Sequence, residues 1–171
     1  MEKYDEERIM QQREIKLGIP SYITVESEEG SFIGEQNSSK FEKEDICIEA
    51  NENGEIWLTA DTTPVKTVKL RWNTPLERTS KILGGAWERT YGDAEWKGMS
   101  GTRFMPWYFL ALNEGVVTGY GVKVRPSAMC FWQADTRGIT LVLDVRCGGM
   151  GVVLSGRKLL AAEVVAMQAD D

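Results

Sequence analysis

Short runs of apolar residues, each closed by a cluster of turn formers, set the pattern of this chain. The pattern is clearest after residue 45. "ICIEA" and "EIWLTA" are β-rich runs joined by "NENG", a glycine-containing hairpin connection. "TTP" turns into "VKTVKLRW", where Val65, Val68 and Leu70 sit among polar partners. The alternation slips near Val68, which marks a bulge there. "SKILGGAW" reads as another strand, weakened by its two glycines. "MPWYFLALNE", "VVTGYGVKVR", "AMCFWQAD", "ITLVLDVRC", "GVVLS" and "KLLAAEVVAMQ" follow in quick succession. The breaks between them are "NEG", "RPS", "DTRG", "CGG" and "SGR", built from residues that supply special turn geometry. Of these runs only "LLAAEVVAMQ" could pass as a helix. Its β-branched Val164 and Val165, and its place after a tight turn, predict a strand instead. Upstream, "EIKLGI" places Ile15, Leu17 and Ile19 on one side, and "YITVES" sets Tyr22 and Thr24 against Ile23 and Val25; both read as strands.

Strands with turns roughly every 8–12 residues predict an all-β fold, an antiparallel β-sandwich of the supersandwich kind. The chain reads as a single domain over residues 1–171, with core strands at 46–168 and a less regular N-terminal portion at 1–45. A chain of 171 residues can bury one real core and is short for two.

Charge refines the picture. Residues 1–55 carry 15 acids and 6 bases, and the rest of the chain 11 acids and 14 bases. The first part reads as a solvated acidic face, with no DxDxDG-type spacing for a cation. The net charge of −6 argues against nucleic acid, whose binders carry basic patches. No run of about 18 apolar residues predicts a membrane-spanning helix. The N-terminus "MEKYDEERIMQQREIK" is charged where a signal peptide would be apolar, so the expected location is cytoplasmic.

The chain has no histidine, which removes histidine bases, Ser-His-Asp and Cys-His catalysis and the HExxH zinc site. Cys47, Cys130 and Cys147 are odd in number and widely spaced; they read as buried free thiols. Neither a metal nor a cofactor is expected. "GGMGVVLSG" imitates a phosphate loop, but the third glycine position of GxGxxG is Leu154 and no helix follows. It reads as a turn between strands.

"GGAWERTYGDAEWKG", residues 84–98, holds the most suggestive chemistry. Trp87 and Trp96 differ by an odd number of residues, so they cannot share one strand face. With Tyr91, glycine and dense charge between them, the stretch reads as a loop. Its aromatics are suited to stacking on sugar faces, and its polar groups to sugar hydroxyls. Equally, the tryptophans could plug the core from its edge. Glu88, Asp93 and Glu95 are solvated loop acids on the plain reading and a glycosidase carboxylate pair on the sharp one. "MPWYFL" and "CFW" read mostly as core, with the N–H groups of Trp107 and Trp132 needing partners.

"GGAWERTYGDAEW", "MPWYFLAL", "GYGVKV", "CFWQAD", "ITLVLDVR", "GGMGVVL" and "LLAAEVV" occur in an order that resembles one known domain. It is the N-terminal β-sandwich of family 36 glycoside hydrolases, the α-galactosidase (melibiase) and raffinose-synthase-like enzymes. The resemblance covers roughly residues 80–168, and "CFWQAD…LDVR.GG" is its most specific part. Cys147 departs from it, standing where asparagine is expected before the glycine pair. In the family a (β/α)8 barrel follows the sandwich and holds a nucleophilic and an acid/base aspartate of a retaining mechanism. This sequence stops at "AMQADD" without a barrel, so the resemblance implies a non-catalytic domain and carries over no catalytic residue. It implies packing on that barrel, an α-galactosyl oligosaccharide as substrate and a possible homo-oligomer. It also places Trp87, Asp93 and Trp96 near the pocket mouth as candidate substrate-binding residues. Two other classes stand beside it: a stand-alone carbohydrate-binding module, and a small complete enzyme using Glu88, Asp93 or Glu95.

Overall fold

The computed structural model describes residues 12–85, 95–123 and 125–170. Within them lie fifteen strands and no helix. They are β1 (Gln12–Ile15), β2 (Tyr22–Ser27), β3 (Gly30–Ile33), β4 (Lys40–Lys43), β5 (Ile46–Ala50), β6 (Glu55–Thr59), β7 (Val65–Trp72) and β8 (Lys81–Gly84). The rest are β9 (Lys97–Gly98), β10 (Met105–Pro106), β11 (Tyr108–Asn113), β12 (Val116–Val122), β13 (Met129–Asp135), β14 (Gly138–Asp144) and β15 (Lys158–Asp170). Two antiparallel sheets face each other. The larger runs β4-β5-β6-β15-β12-β11-β8-β9, with β1 also paired to β15; the smaller runs β10-β13-β14-β7-β2-β3. The all-β sandwich expected from turn spacing is the observed fold.

Alternation explains the layers. Along β5, β6 and β13 every second side chain is buried: Ile46, Ile48 and Ala50, then Ile56 and Leu58, then Cys130, Trp132 and Ala134. A period of two puts these on one face of each sheet. The inner faces meet around Trp132, whose ring lies 5.9 Å from Phe109, 6.1 Å from Trp72 and 6.3 Å from Tyr120. Its indole N–H donates to the Trp107 carbonyl at 3.2 Å, so the polar handle of this buried ring is satisfied.

The run "LLAAEVVAMQ" is strand throughout and serves as a spine. One edge of β15 pairs with β12 over Val164–Asp170. Its other edge pairs first with β6 and then, over Ala166–Ala169, with β1. The register against β6 shifts between Leu160 and Ala162, leaving Ala161 as an extra residue. Both Ala161 and Ala162 are buried, which only small side chains permit at neighbouring positions here.

Several local expectations are corrected. "MPWYFLALNE" is two strands: β10 belongs to the small sheet and β11 to the large one. The chain changes sheets at Trp107, which adopts φ +68°. This residue is 41% exposed and Tyr108 54%, so that part of "MPWYFL" faces outward while Met105 and Phe109 fill the core. "EIKLGI" is strand only as far as Ile15. "GVVLS" makes a single bridge, Val65 with Val152. The bulge foreseen near Val68 falls at Lys66: Glu26 pairs with Thr67 but Ser27 pairs with Val65.

A carboxylate pins one end of the large sheet. Asp45, between β4 and β5, accepts hydrogen bonds from the backbone N–H groups of Asp61, Thr62 and Thr63 at 3.0, 2.6 and 2.9 Å. The Thr63 hydroxyl and these backbone donors hold the Asp45 carboxyl well below the usual carboxylate range. A depressed native pKa gives stability that is present above the unfolded value and is lost as pH falls through the native one. Melting temperature should therefore fall on acidification from about pH 4 toward about pH 2, and Asp45→Asn should flatten that fall. Thermal melts across this range check it, and an unchanged slope in the variant counts against the role given to Asp45.

Candidate functional site

Residues 84–98 run from the end of β8, next to last in the large sheet, to β9, the edge strand beside it. Trp87, Glu88, Tyr91 and Asp93 lie outside the described residues. Glu95 is exposed and lies 3.9 Å from Lys97 in an ion pair. Trp96 is 37% exposed and stands on the outer surface, not in the core.

Trp96 borders an apolar trough of about 460 Å3 on the outer face of the large sheet. Its construction follows from register. Across β11, β12 and β15 one outward row reads Tyr108, Gly121, Val165, and the next reads Leu110, Gly119, Met167. In each row the central strand carries glycine and its neighbours carry large apolar groups. The missing side chains on β12 sink a groove, and the flanking ones wall it. A Cβ built on Gly119 would come within 3.1 Å of Leu110 Cδ2, and one on Gly121 within 3.4 Å of Tyr108 Cβ, so the β11 wall leans into the gap. Tyr120 between the glycines points inward and stacks on Phe109 at 4.9 Å.

An outer sheet face normally alternates polar groups toward water. Here Tyr108 and Met167, 54% and 44% exposed, extend the apolar strip that begins at Trp96. Such a strip suits an apolar surface laid along it, with aromatic edges at one end. The sequence signal for it was present in "GYGVKV", where glycines two apart flank an inward tyrosine. It was obscured by reading "MPWYFL" as core.

Among the described residues six carboxylates have shifted ionisation, all downward. The causes are Lys66 beside Glu28, Thr63 beside Asp45, Lys158 beside Glu49, Trp57 beside Glu55, Arg71 beside Asp135 and Arg146 beside Asp144. A glycosidase general acid needs the opposite shift, so that it still holds its proton near neutrality. Arg71 grips Asp135 through both guanidinium nitrogens, at 2.8 and 3.0 Å, which leaves that acid a structural anchor.

The thiols differ from one another. Cys130 is buried and burial pushes its pKa up to about 12, as expected for an inert core thiol. Cys47 is half-buried, and its thiol too is pushed up by burial. Cys147 is exposed, against expectation. It begins a tight turn through Gly148 and Gly149, at φ +60° and +82°, and exchanges both backbone hydrogen bonds with Met150. That turn projects from the sandwich and gives the thiol nothing to pack under.

With the fold and trough described, comparison with known proteins adds no relative: no protein family, no curated protein and no solved structure matches the chain. No helix among the described residues is long and apolar enough to cross a membrane.

Proposed function

We propose that this chain is a non-catalytic β-sandwich domain of an α-galactosidase-like glycoside hydrolase. The reading rests on the resemblance of residues 80–168, and the observation that carries it is the apolar trough between Trp96 and Met167. In this reading the trough side of the large sheet packs against the catalytic barrel. Trp96, at the border of the trough, would then stand near the mouth of the α-galactoside pocket. Trp87 and Asp93, which the sequence pattern assigns to a loop, would contribute stacking and a hydroxyl acceptor there. Contacts between copies of the enzyme would use the same edge.

The chain alone should not turn over a chromogenic α-galactoside. An assay of p-nitrophenyl α-galactoside hydrolysis by purified protein tests this. Turnover that Asp93→Asn abolishes would overturn the proposal and revive the loop acids as catalysts.

A further inference from the structure

A second aromatic surface lies on the outer face of the large sheet, around Trp57. Its cleft of about 330 Å3 is lined by Ser39, Lys40, Glu49, Trp57 and Lys158. Trp57 is half-buried in the middle of β6, and across the sheet it pairs with Glu49 on β5 and Leu160 on β15. An outward tryptophan at a strand centre is costly to leave beside water, since the ring carries one of the largest apolar areas of any side chain.

The surroundings of the ring are ordered by hydrogen bonds. The indole N–H donates to Glu55 Oε2 at 3.1 Å, and Asn51 Nδ2 donates to the same oxygen at 2.8 Å. These two contacts fix the plane of the indole. Lys158 Nζ stands 5.2 Å from the ring centroid and 2.8 Å from Glu49 Oε2. Lys40 is paired with Glu42 at 2.6 Å. The carboxylates around the cleft are thus already engaged, Glu42 by Lys40, Glu49 by Lys158 and Glu55 by the indole and Asn51, and neither lysine is left free to hold an anion.

A flat apolar ring flanked by an acceptor and an ammonium donor matches one class of neutral molecule. A pyranose has an apolar C–H face and a rim of hydroxyls. We propose that the Trp57 cleft is a binding site for a neutral pyranose, stacked on the indole. Glu49 accepts a hydroxyl through Oε1, which has no partner among the described residues, and Lys158 swings off the ring to donate to another. The volume lies at the lower end of small-molecule sites, roughly 300–1,000 Å3, which suits a single sugar unit. This site is separate from the trough and does not depend on the α-galactosidase reading. It makes the domain a carrier of sugar in its own right.

Indole-15N-labelled protein tests it. The chain has six tryptophans, and Trp57→Phe identifies the Trp57 N–H resonance. Methyl α-D-galactopyranoside and methyl β-D-glucopyranoside are titrated, with glycerol as a hydroxyl control. At least one pyranoside should move the Trp57 resonance saturably while glycerol leaves it in place. Glu49→Ala should weaken binding about tenfold, the scale of one lost charge-assisted hydrogen bond, at unchanged melting temperature. Trp57→Ala should abolish binding as read by calorimetry. A linear drift equal to that with glycerol overturns the proposal. So does saturation that Glu49→Ala leaves unaltered, or a shift confined to the Trp96 resonance. None of these results bears on α-galactoside turnover, so the two proposals fail separately.

Discussion

Trp132→Ala is expected to destabilise the domain by about 3–5 kcal/mol, the cost of truncating a fully buried aromatic to alanine. Trp132 is 0% exposed and touches both sheets at once. It stands on β13 of the small sheet, while its partners Phe109 and Tyr120 stand on β11 and β12 of the large one. Removing the indole leaves a void between layers that cannot close without moving a strand. The Trp107 carbonyl is less affected than the packing, because it still accepts the Val122 N–H at 3.1 Å. Most of the loss should therefore be cavity and lost apolar burial, and Trp132→Phe should recover a large part of it. Domains of this kind are stable by only about 5–15 kcal/mol, so the alanine variant should melt far lower or fail to fold at room temperature. Urea unfolding followed by circular dichroism measures both variants. A midpoint shift within error for Trp132→Ala would show that the ring is not at the centre of the core.

The second large effect is expected at Gly54, the last residue of the "NENG" turn. Its φ is +83°, a conformation that costs an L-residue about 1–2 kcal/mol. A Cβ there would also lie 2.3 Å from the Val164 carbonyl oxygen, a backbone atom that no rotamer change can move. The turn is held on the spine by the Val164 N–H, which donates to the Gly54 carbonyl at 2.8 Å. To admit a methyl group the turn must lift and loosen that bond. Gly54→Ala should thus cost about 3 kcal/mol, adding the conformational term to the lost contact. Gly115 supplies the control. Its φ is +78°, but nothing lies within 4 Å of its would-be Cβ. Gly115→Ala should show the conformational cost alone. Thermal melts compare the pair, and equal losses at the two glycines would contradict the steric half of the argument.

Much of this architecture was written in local patterns. The "NENG" hairpin and the Asn113–Val116 turn, with φ positive at both Glu114 and Gly115, announce themselves through residues that tolerate such geometry. "LLAAEVVAMQ" was resolved as strand by its β-branched pair, even though its bulge at Ala161 gives it near-helical spacing. What stayed hidden depends on partners far along the chain. The sheet switch at Trp107 arises because its N–H and carbonyl are claimed by Cys130 and Val122, on different sheets. No pattern within "MPWYFL" encodes that. The exposed face of Cys147 likewise follows from where its turn lands. For the candidate site, Trp96 was legible as a loop aromatic, but the trough beside it needs three strands in register before glycines at 119 and 121 become a groove. Trp57 was read simply as part of a strand, since the continuous apolar run Ile56-Trp57-Leu58 gives no hint of which face its ring takes.

If the proposed function holds, a catalytic domain covers the Trp96–Met167 face of the large sheet. Hydroxyl-radical footprinting, read by mass spectrometry, tests this most directly. It compares the 171-residue chain alone with the same chain within the longer enzyme that the proposed function calls for. Met129, 36% exposed on the outer face of the small sheet, serves as the internal reference. Tyr108 and Met167 should be oxidised readily in the isolated chain and protected severalfold in the longer protein, while Met129 changes little. Equal oxidation of Tyr108 and Met167 in both proteins would contradict it.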